Sequence, residues 1–435
     1  MSELVAHLSP DEVAAARKGR TWPMLLVKQA LAPLPVDDAF AAFASLMQFP
    51  PGTAISQVGL TSARTFAQSG AARFQLLDAG GEAFTNQPPR VIGIGDQRLL
   101  GHVTRSMYVA AFDQATVRGR SQLVELAGEV LLDFEGEEYS RIDDEIELDS
   151  AAFRRADGGL WTIGEPRDDS LQVAECFSLL GPNSFAFGHW IVEYLPRLWT
   201  AMQSGLMPRV PVLIDQGMNR QHRQCLEMLL GPGATIIEVA PMQRVQVGRL
   251  WFAPTYYYAP IYPQFNERFR YDLVAAPPDR FCNLFVGMGE VLGTQPRVDE
   301  PRSRLFLGRR PNRHRKLVNH AAIERIAVDQ GFRLVYLEDF DFDEQLRLIR
   351  GADWLVGPEG SAFFMAFFAN PGTRAGILNH PHTEFLTEVT ALLEAVGVEC
   401  TVVTGPFRRI EEGGYTHFSD YEIDPDSFGR YLREG

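Results

Sequence analysis

Two textures alternate along the chain: short runs of β-branched or alternating residues, and longer apolar stripes at helical spacing. Near the N-terminus, Pro10-Asp11-Glu12 can open a helix over Val13 to Arg20, and Ala39 to Met47 forms a second apolar helical patch. From Arg90 to Leu148 the segments Arg90-Val-Ile-Gly-Ile, His102-Val-Thr and Gln122-Leu-Val-Glu-Leu-Ala predict short strands of a β-rich layer. From about residue 170 strands and helices take turns. Strands are expected at Ala174 to Leu180, Val210 to Ile214 and Thr235 to Val239, with helices at Gly188 to Met202 and Gln221 to Leu230. A second series comes next, with strands at 304–307, 333–336, 354–356 and 375–378 and helices at 319–330, 343–350 and 361–369. Strand–helix alternation of this kind signals parallel sheets with crossover helices.

The pattern divides the 435 residues into an N-terminal region 1–165 with helices and a β-rich layer, α/β units at 166–280 and 281–400, and a tail 401–435 that could pack back on the first unit. Ala275 to Pro301, with several Pro and Gly residues around an apolar patch, is the expected interdomain region. Two successive doubly wound units imply a cleft, and ligands of such sheets lie outside the carboxyl ends of the strands. Composition changes this picture little. Hydrophobic residues make up 46% of the chain, as suits a large buried core, and the net charge of −14 argues against general binding to nucleic acid. Cys176, Cys225, Cys282 and Cys400 are scattered and form no CxxC pair, so a zinc ribbon is excluded and a reducing compartment is the default. The N-terminus shows no secretory h-region and no 18-residue apolar window occurs, so a cytoplasmic location without a transmembrane segment is expected. Peripheral membrane contact and the oligomeric state stay open.

Against that acidic background, Arg302, Arg304, Arg309, Arg310, Arg313, Arg315 and Lys316 are clustered, with no acid between Glu300 and Glu324. Arginine offers planar bidentate donors and a permanent charge, so a cluster between a strand and a helix points to a phosphate, the alternative being a solvated basic loop or an RNA-contacting patch. In Gly188 to Met202, His189, Glu193 and Arg197 fall at i, i+4 and i+8 and are expected to share a helix face, while Pro196 should kink the helix. Near the helix start the positive end of the macrodipole disfavours an imidazolium, leaving His189 able to accept a proton; an ordinary amphipathic helix with a structural His–Glu–Arg network is the simpler alternative. In Trp354 to Asn370 a buried strand runs into Gly357-Pro358-Glu359-Gly360 and then an apolar helix beginning at Ser361. Free N–H groups there can receive a phosphate or sugar hydroxyl, whereas Glu359 would repel a phosphate and would suit a hydroxyl or act as a base. Asp341-Phe342-Asp343 has the form of a metal-binding DxD string, but Asp341 followed by Glu344 reads as a helix cap. Tyr256, Tyr257 and Tyr258 could stack on a carbohydrate, and His380 and His382 flank Pro381; both sets are more simply core or loop residues. No dinucleotide fingerprint, P-loop, HExxH or GxSxG string is present.

Taken in order, Gly188-His189-Trp190, Glu193, Leu195-Pro196-Arg197-Leu198, Gly308-Arg309-Arg310, Arg315, Asn319, Phe342, Glu344-Gln345 and Gly357-Pro358-Glu359-Gly360-Ser361 resemble glycosyltransferase family 61. The resemblance covers about residues 170–380. It implies a GT-B-like α/β fold, two Rossmann-like lobes with a cleft between them, in addition to the β-rich N-terminal region. Residues 166–280 would form the acceptor lobe and 281–400 the donor lobe. It further implies inverting, metal-independent transfer of a hexosyl or pentosyl unit from a nucleotide-sugar, a UDP-sugar being the expected co-substrate, to a glycan or polysaccharide hydroxyl. Carried over by position, Arg309, Arg310, Arg315, Asn319, Glu344, Gln345, Gly360 and Ser361 are donor-side candidates, and His189, Glu193 and Glu359 catalytic ones. Two positions depart from the family pattern: its serine before the first arginine is Gly308, and its histidine in the Gly-Pro-His-Gly turn is Glu359. A non-catalytic nucleotide-sugar or glycan-binding protein on a decayed transferase fold is the rival reading, and a nucleotide-sugar epimerase a third.

Overall fold

The computed structural model describes residues 9–17, 24, 27–28, 30–31, 34–49, 51–95, 99–133, 149, 152–154, 160–164, 170–257, 277–293, 303–310, 315–381, 384–409 and 419–434. Arg302, Arg313, Tyr258 and His382 lie outside these residues.

Two large sheets organise the chain. In the first, Ile236–Val239, Val212–Asp215, Leu171–Ser178 and Arg244–Phe252 run parallel in that order, as strand–helix alternation predicts. The sheet does not end there. Met107–Arg118 pairs antiparallel along the whole of Arg244–Phe252, from Arg244 opposite Arg118 to Phe252 opposite Ala110. Beyond it come Val124–Leu126, Glu129–Leu132, Ala54–Ser62, Leu160–Gly164 and Ala152–Arg154. The expected N-terminal β-layer is therefore fused to the first α/β sheet across residue 165. An uncovered edge strand would leave a row of unpaired backbone groups, and Met107–Arg118 pairs them.

The second sheet is all parallel: Arg333–Val335, Ser303–Leu307, Ala352–Pro358, Arg374–Asn379, Glu399–Thr404 and Arg90–Ile92. Its last strand comes from the N-terminal region. The C-terminal helix Pro425–Glu434 also belongs here: Phe428, Tyr431 and Leu432 join Phe306, Ile323, Trp354 and Val356 in one buried cluster. The tail thus covers the second sheet rather than folding back on the first unit, because strand Glu399–Thr404 delivers it there and its apolar stripe meets the exposed face of that sheet.

The expected interdomain segment contains a 15-residue helix, Pro278–Leu292, with Phe281, Phe285, Met288 and Leu292 buried. Phe285 lies 4.8 Å from Phe367 and Phe281 5.3 Å from it, ring centre to ring centre. Through these rings one continuous core joins Trp190 and Leu198 of the first unit to Leu346, Leu355 and Phe364 of the second. Polar contacts reinforce the junction. Gln221 donates to the carbonyls of Glu338 and Phe340, and the Phe342 N–H donates to Gln224. All four cysteines are free. No helix among the described residues is long and apolar enough to cross a membrane.

Candidate active site

The helix carrying His189 is not uniform. Phe187–His189 and Leu195–Gln203 are α-helical, and Trp190–Tyr194 between them is a π turn. Pro196 has no N–H to give to the preceding turn, and the wider π turn absorbs the defect in place of the expected kink. The turn keeps His189 and Glu193 together: Nδ1 of His189 lies 3.0 Å from Oε2 of Glu193. The histidine side chain is 18% exposed and the glutamate 6%, so the imidazole is the part of the pair that reaches solvent. The extra residue rotates the remainder of the helix by about 100°. Arg197 accordingly leaves the expected shared face; its Nε donates to the Ala253 carbonyl at 3.0 Å, holding the end of strand Arg244–Phe252.

A buried carboxylate supports the loop before this helix. Asp215, at the carboxyl end of its strand, accepts from the Gly181 N–H at 3.0 Å, the Ser184 hydroxyl at 2.6 Å and the Arg120 N–H at 2.6 Å. Burial pushes its carboxyl up to about 6, against the pull of those three donors. Under the helix, His222 packs 5.5 Å from Trp190 and 5.3 Å from Phe187, and burial pushes its imidazole down to about 4. Sequence reading singled out neither residue. A lone Asp at a strand end and a His inside a helix carry no signal until their neighbours are known.

The second set of candidates collects at the carboxyl ends of the six-stranded sheet. Arg309 comes after Ser303–Leu307, and Glu359 and Gly360 come after Ala352–Pro358. Arg309 donates to the Glu359 carbonyl at 2.9 Å, and the Arg315 guanidinium is paired with the Glu359 carboxylate. Glu359 is 6% exposed. Burial above all, then the like charge of Arg315, lowers Arg309 from its ordinary range, while Glu359 opposes the shift. Arg315 adopts the left-handed backbone region, φ 55°, uncommon for a residue with a β-carbon. Its segment is tied to the tail: Lys316 N–H donates to Asp420 Oδ1 at 2.8 Å, and Val318 N–H to the Tyr421 carbonyl at 2.8 Å. Tyr421 lies under the cluster and donates its hydroxyl to the Leu378 carbonyl at 2.8 Å; burial, foremost, raises the phenol. Asn379, also buried at this sheet end, was not singled out by sequence reading either.

The remaining candidates are placed elsewhere or are occupied. Arg310 turns outward, stacks 4.7 Å over Tyr336, and pairs with Glu338 at 3.0 Å and Asp339 at 2.8 Å. Asn319 Nδ2 donates to the Ile423 carbonyl at 2.7 Å, pinning the tail. Glu344 accepts from the Asp341 N–H at 3.2 Å in a capping box, so the DxD string is a helix start, as its spacing suggested. Gln345 is buried and donates to the Leu337 carbonyl at 2.7 Å. Ser361 opens the helix Ser361–Phe368, which is a 3-10 helix rather than the expected α-helix, and is exposed. Gly308 has a local reason: a β-carbon there would stand 2.6 Å from the Tyr336 ring.

The His189 helix and the arginine cluster meet through Ser361–Phe368. Gly188 lies so close to Phe364 that a β-carbon on it would be 2.9 Å from the ring. Phe364 is four residues beyond Gly360, whose own β-carbon would lie 3.7 Å from the Arg309 side chain. An imidazole backed by a carboxylate on one helix and a partly buried Arg–Glu–Arg cluster at the end of the six-stranded sheet thus flank a single short helix. Residues 187–376 match the family model described as Glycosyltransferase 61. That stretch is similar to glycosyltransferase family 61. The family 61 span begins one residue before Gly188 and ends within strand Arg374–Asn379, so it encloses every candidate named for catalysis or donor binding. Arg120, Asn379 and Tyr421, which support or line the site, lie outside it. No curated protein matches the chain.

Proposed function

We propose that the protein is an inverting glycosyltransferase that moves a sugar from a nucleotide-sugar to a glycan or polysaccharide hydroxyl, on a GT-B-like pair of lobes. The observation that carries this reading is the 3.0 Å His189–Glu193 contact on a helix packed against Ser361–Phe368, the helix that continues from Glu359, to which Arg309 and Arg315 are bonded. Glu193 at Nδ1 fixes the ring so that Nε2 faces outward and takes the acceptor hydroxyl proton. The acceptor oxygen forms its bond to the anomeric carbon from the face opposite the phosphate. The bond from that carbon to the phosphate oxygen breaks, and the leaving phosphate carries off the electron pair. Arg309 and Arg315 offset the charge that develops on it. Arg310, Asn319, Glu344 and Gln345 act indirectly, by holding the segments around the crevice. The reaction needs no metal ion in this scheme.

The test is incubation with UDP-, GDP- and CMP-sugars and a glycan acceptor panel, with nucleotide release and product measured. Activity that persists in EDTA and is lost in His189→Ala is expected. Absence of binding to every sugar nucleotide by calorimetry removes the proposal. Glu359 inside the arginine cluster favours the second reading, a sugar-nucleotide-binding protein without turnover. Binding without transfer across the acceptor panel would establish it.

A further inference from the structure

Two stretches of chain far apart in sequence converge on the carboxylate of Asp215. Oδ2 accepts from the Gly181 N–H at 3.0 Å and the Ser184 hydroxyl at 2.6 Å, and Oδ1 accepts from the Arg120 N–H at 2.6 Å. Asp215 and Ser184 are fully buried. Arg120 follows strand Met107–Arg118, and its guanidinium lies over the ring of Phe185 in the same loop as Gly181 and Ser184. Hydrogen bonds carry this anchor on to the helix that bears His189. The Ala186 N–H donates to the Asn183 carbonyl at 3.0 Å, and the Trp190 N–H to the Ala186 carbonyl at 2.9 Å. The Asn183 N–H donates to the Tyr194 hydroxyl at 3.3 Å, and the same hydroxyl leaves no room for a β-carbon on Gly181. Loop 181–186 therefore grips the helix at two points, beside His189 at Trp190 and beside Glu193 at Tyr194.

From this path we infer that Asp215 is a positioning residue for transfer: it fixes loop 181–186 so that the His189 imidazole meets the acceptor hydroxyl in one orientation. The inference rests on the transferase reading and adds a residue that acts through His189. A carboxylate only accepts hydrogen bonds, so it can satisfy the two N–H groups and the hydroxyl at once. An amide in its place cannot. Whichever way it turns, its NH₂ meets the N–H of Gly181 or of Arg120, and a buried N–H is left unpaired. Arg120, Gly181 and Ser184 all lie outside residues 187–376, so the brace for the base comes from chain beyond the family 61 match.

Rates and the ring signal of His189 test it, both on the full chain. Histidine labelled with ¹³C at Cε1 gives one signal per imidazole, and His189→Gln identifies the signal of His189 by its loss. Asp215→Asn is expected to move or split that signal and to lower kcat about fivefold or more, with the KM and the affinity for the sugar-nucleotide nearly unchanged. Ser184→Ala leaves the charge of Asp215 in place and removes one hydrogen bond, so a moved signal there reports geometry rather than a changed field. It also decides the matter if Asp215→Asn does not fold. A His189 signal that stays at its wild-type position in Ser184→Ala overturns the inference. So does a smaller fall in kcat in folded Asp215→Asn, or a fall matched by an equal loss of sugar-nucleotide affinity. A wild-type chain that moves no sugar removes the transferase reading, and the ring signal then still decides whether Asp215 orients His189.

Discussion

His189 and Glu193 show how little separates a structural pair from a catalytic one: the same 3.0 Å contact serves either role, and only the exposed side of the imidazole distinguishes them. As a base, His189→Ala should lower kcat by about 10²- to 10⁴-fold and leave donor affinity nearly intact, measured by steady-state rates beside calorimetry. Arg309→Ala should weaken nucleotide binding more than nucleoside binding; equal losses would contradict contact with phosphate. Two buried groups near the helix make opposite predictions for stability against pH. Asp215 is raised to about 6 from 3.8, so between these values the folded state holds more protons than the unfolded one, and this group makes stability fall as pH rises through that window. His222 is lowered to about 4 from 6.5, so the unfolded state holds more protons there, and this group makes stability rise with pH. Each contribution is worth up to roughly 3 kcal/mol. Denaturant titrations from pH 4 to 7 should show Asp215→Asn removing the falling component and His222→Phe the rising one.

At the scale of elements, hydrophobic periodicity anticipated the strands and helices between residues 170 and 239 and between 303 and 379, with ends displaced by a few residues, but not strands Arg244–Phe252 and Glu399–Thr404 or helices Pro278–Leu292, Glu384–Ala395 and Pro425–Glu434. It did not anticipate the π turn at Trp190–Tyr194. Pro196 announced a defect, but whether a helix bends or widens depends on what packs around it, and here Trp190, Tyr194 and Leu195 are all buried. The 12-residue strand Met107–Arg118 was likewise not singled out, because its first six residues are all buried and lack the alternation that marks a half-exposed strand. The close approach of Gly188 to Phe364 couples the His189 helix to the helix that follows the Glu359–Gly360 turn. Gly188→Ala should cost about 1–3 kcal/mol of stability, since the ring must move to admit a methyl group. If thermal unfolding of this variant matches the wild type, the two elements are not held in register at that point.

For the whole molecule, the shared core decides behaviour. Phe281, Phe285, Phe364 and Phe367 lie between the sheets and belong to one cluster that reaches both. Calorimetry should therefore show one main unfolding transition for the two α/β units, and two resolved transitions would contradict the shared core. Phe285→Ala should cost about 3–5 kcal/mol by denaturant titration, with both units losing stability together.

What the sequence alone determined is what local physics can encode: the alternation that makes parallel sheets, the cap at Asp341 and Glu344, the spacing that joins His189 to Glu193, and an ordered set of motifs specific enough to indicate the family. Each depends on residues a few positions apart. Tertiary structure decided which arginines stay at the end of the six-stranded sheet, sending Arg310 outward to Tyr336 while Glu359 takes Arg315. It decided that the tail braces Arg315 through Asp420 and Tyr421, and that the N-terminal strands complete both sheets. Charge pairing across 44 residues, as between Arg315 and Glu359, and strand pairing over longer separations still depend on the path of the chain through space, and no short window of sequence records that path.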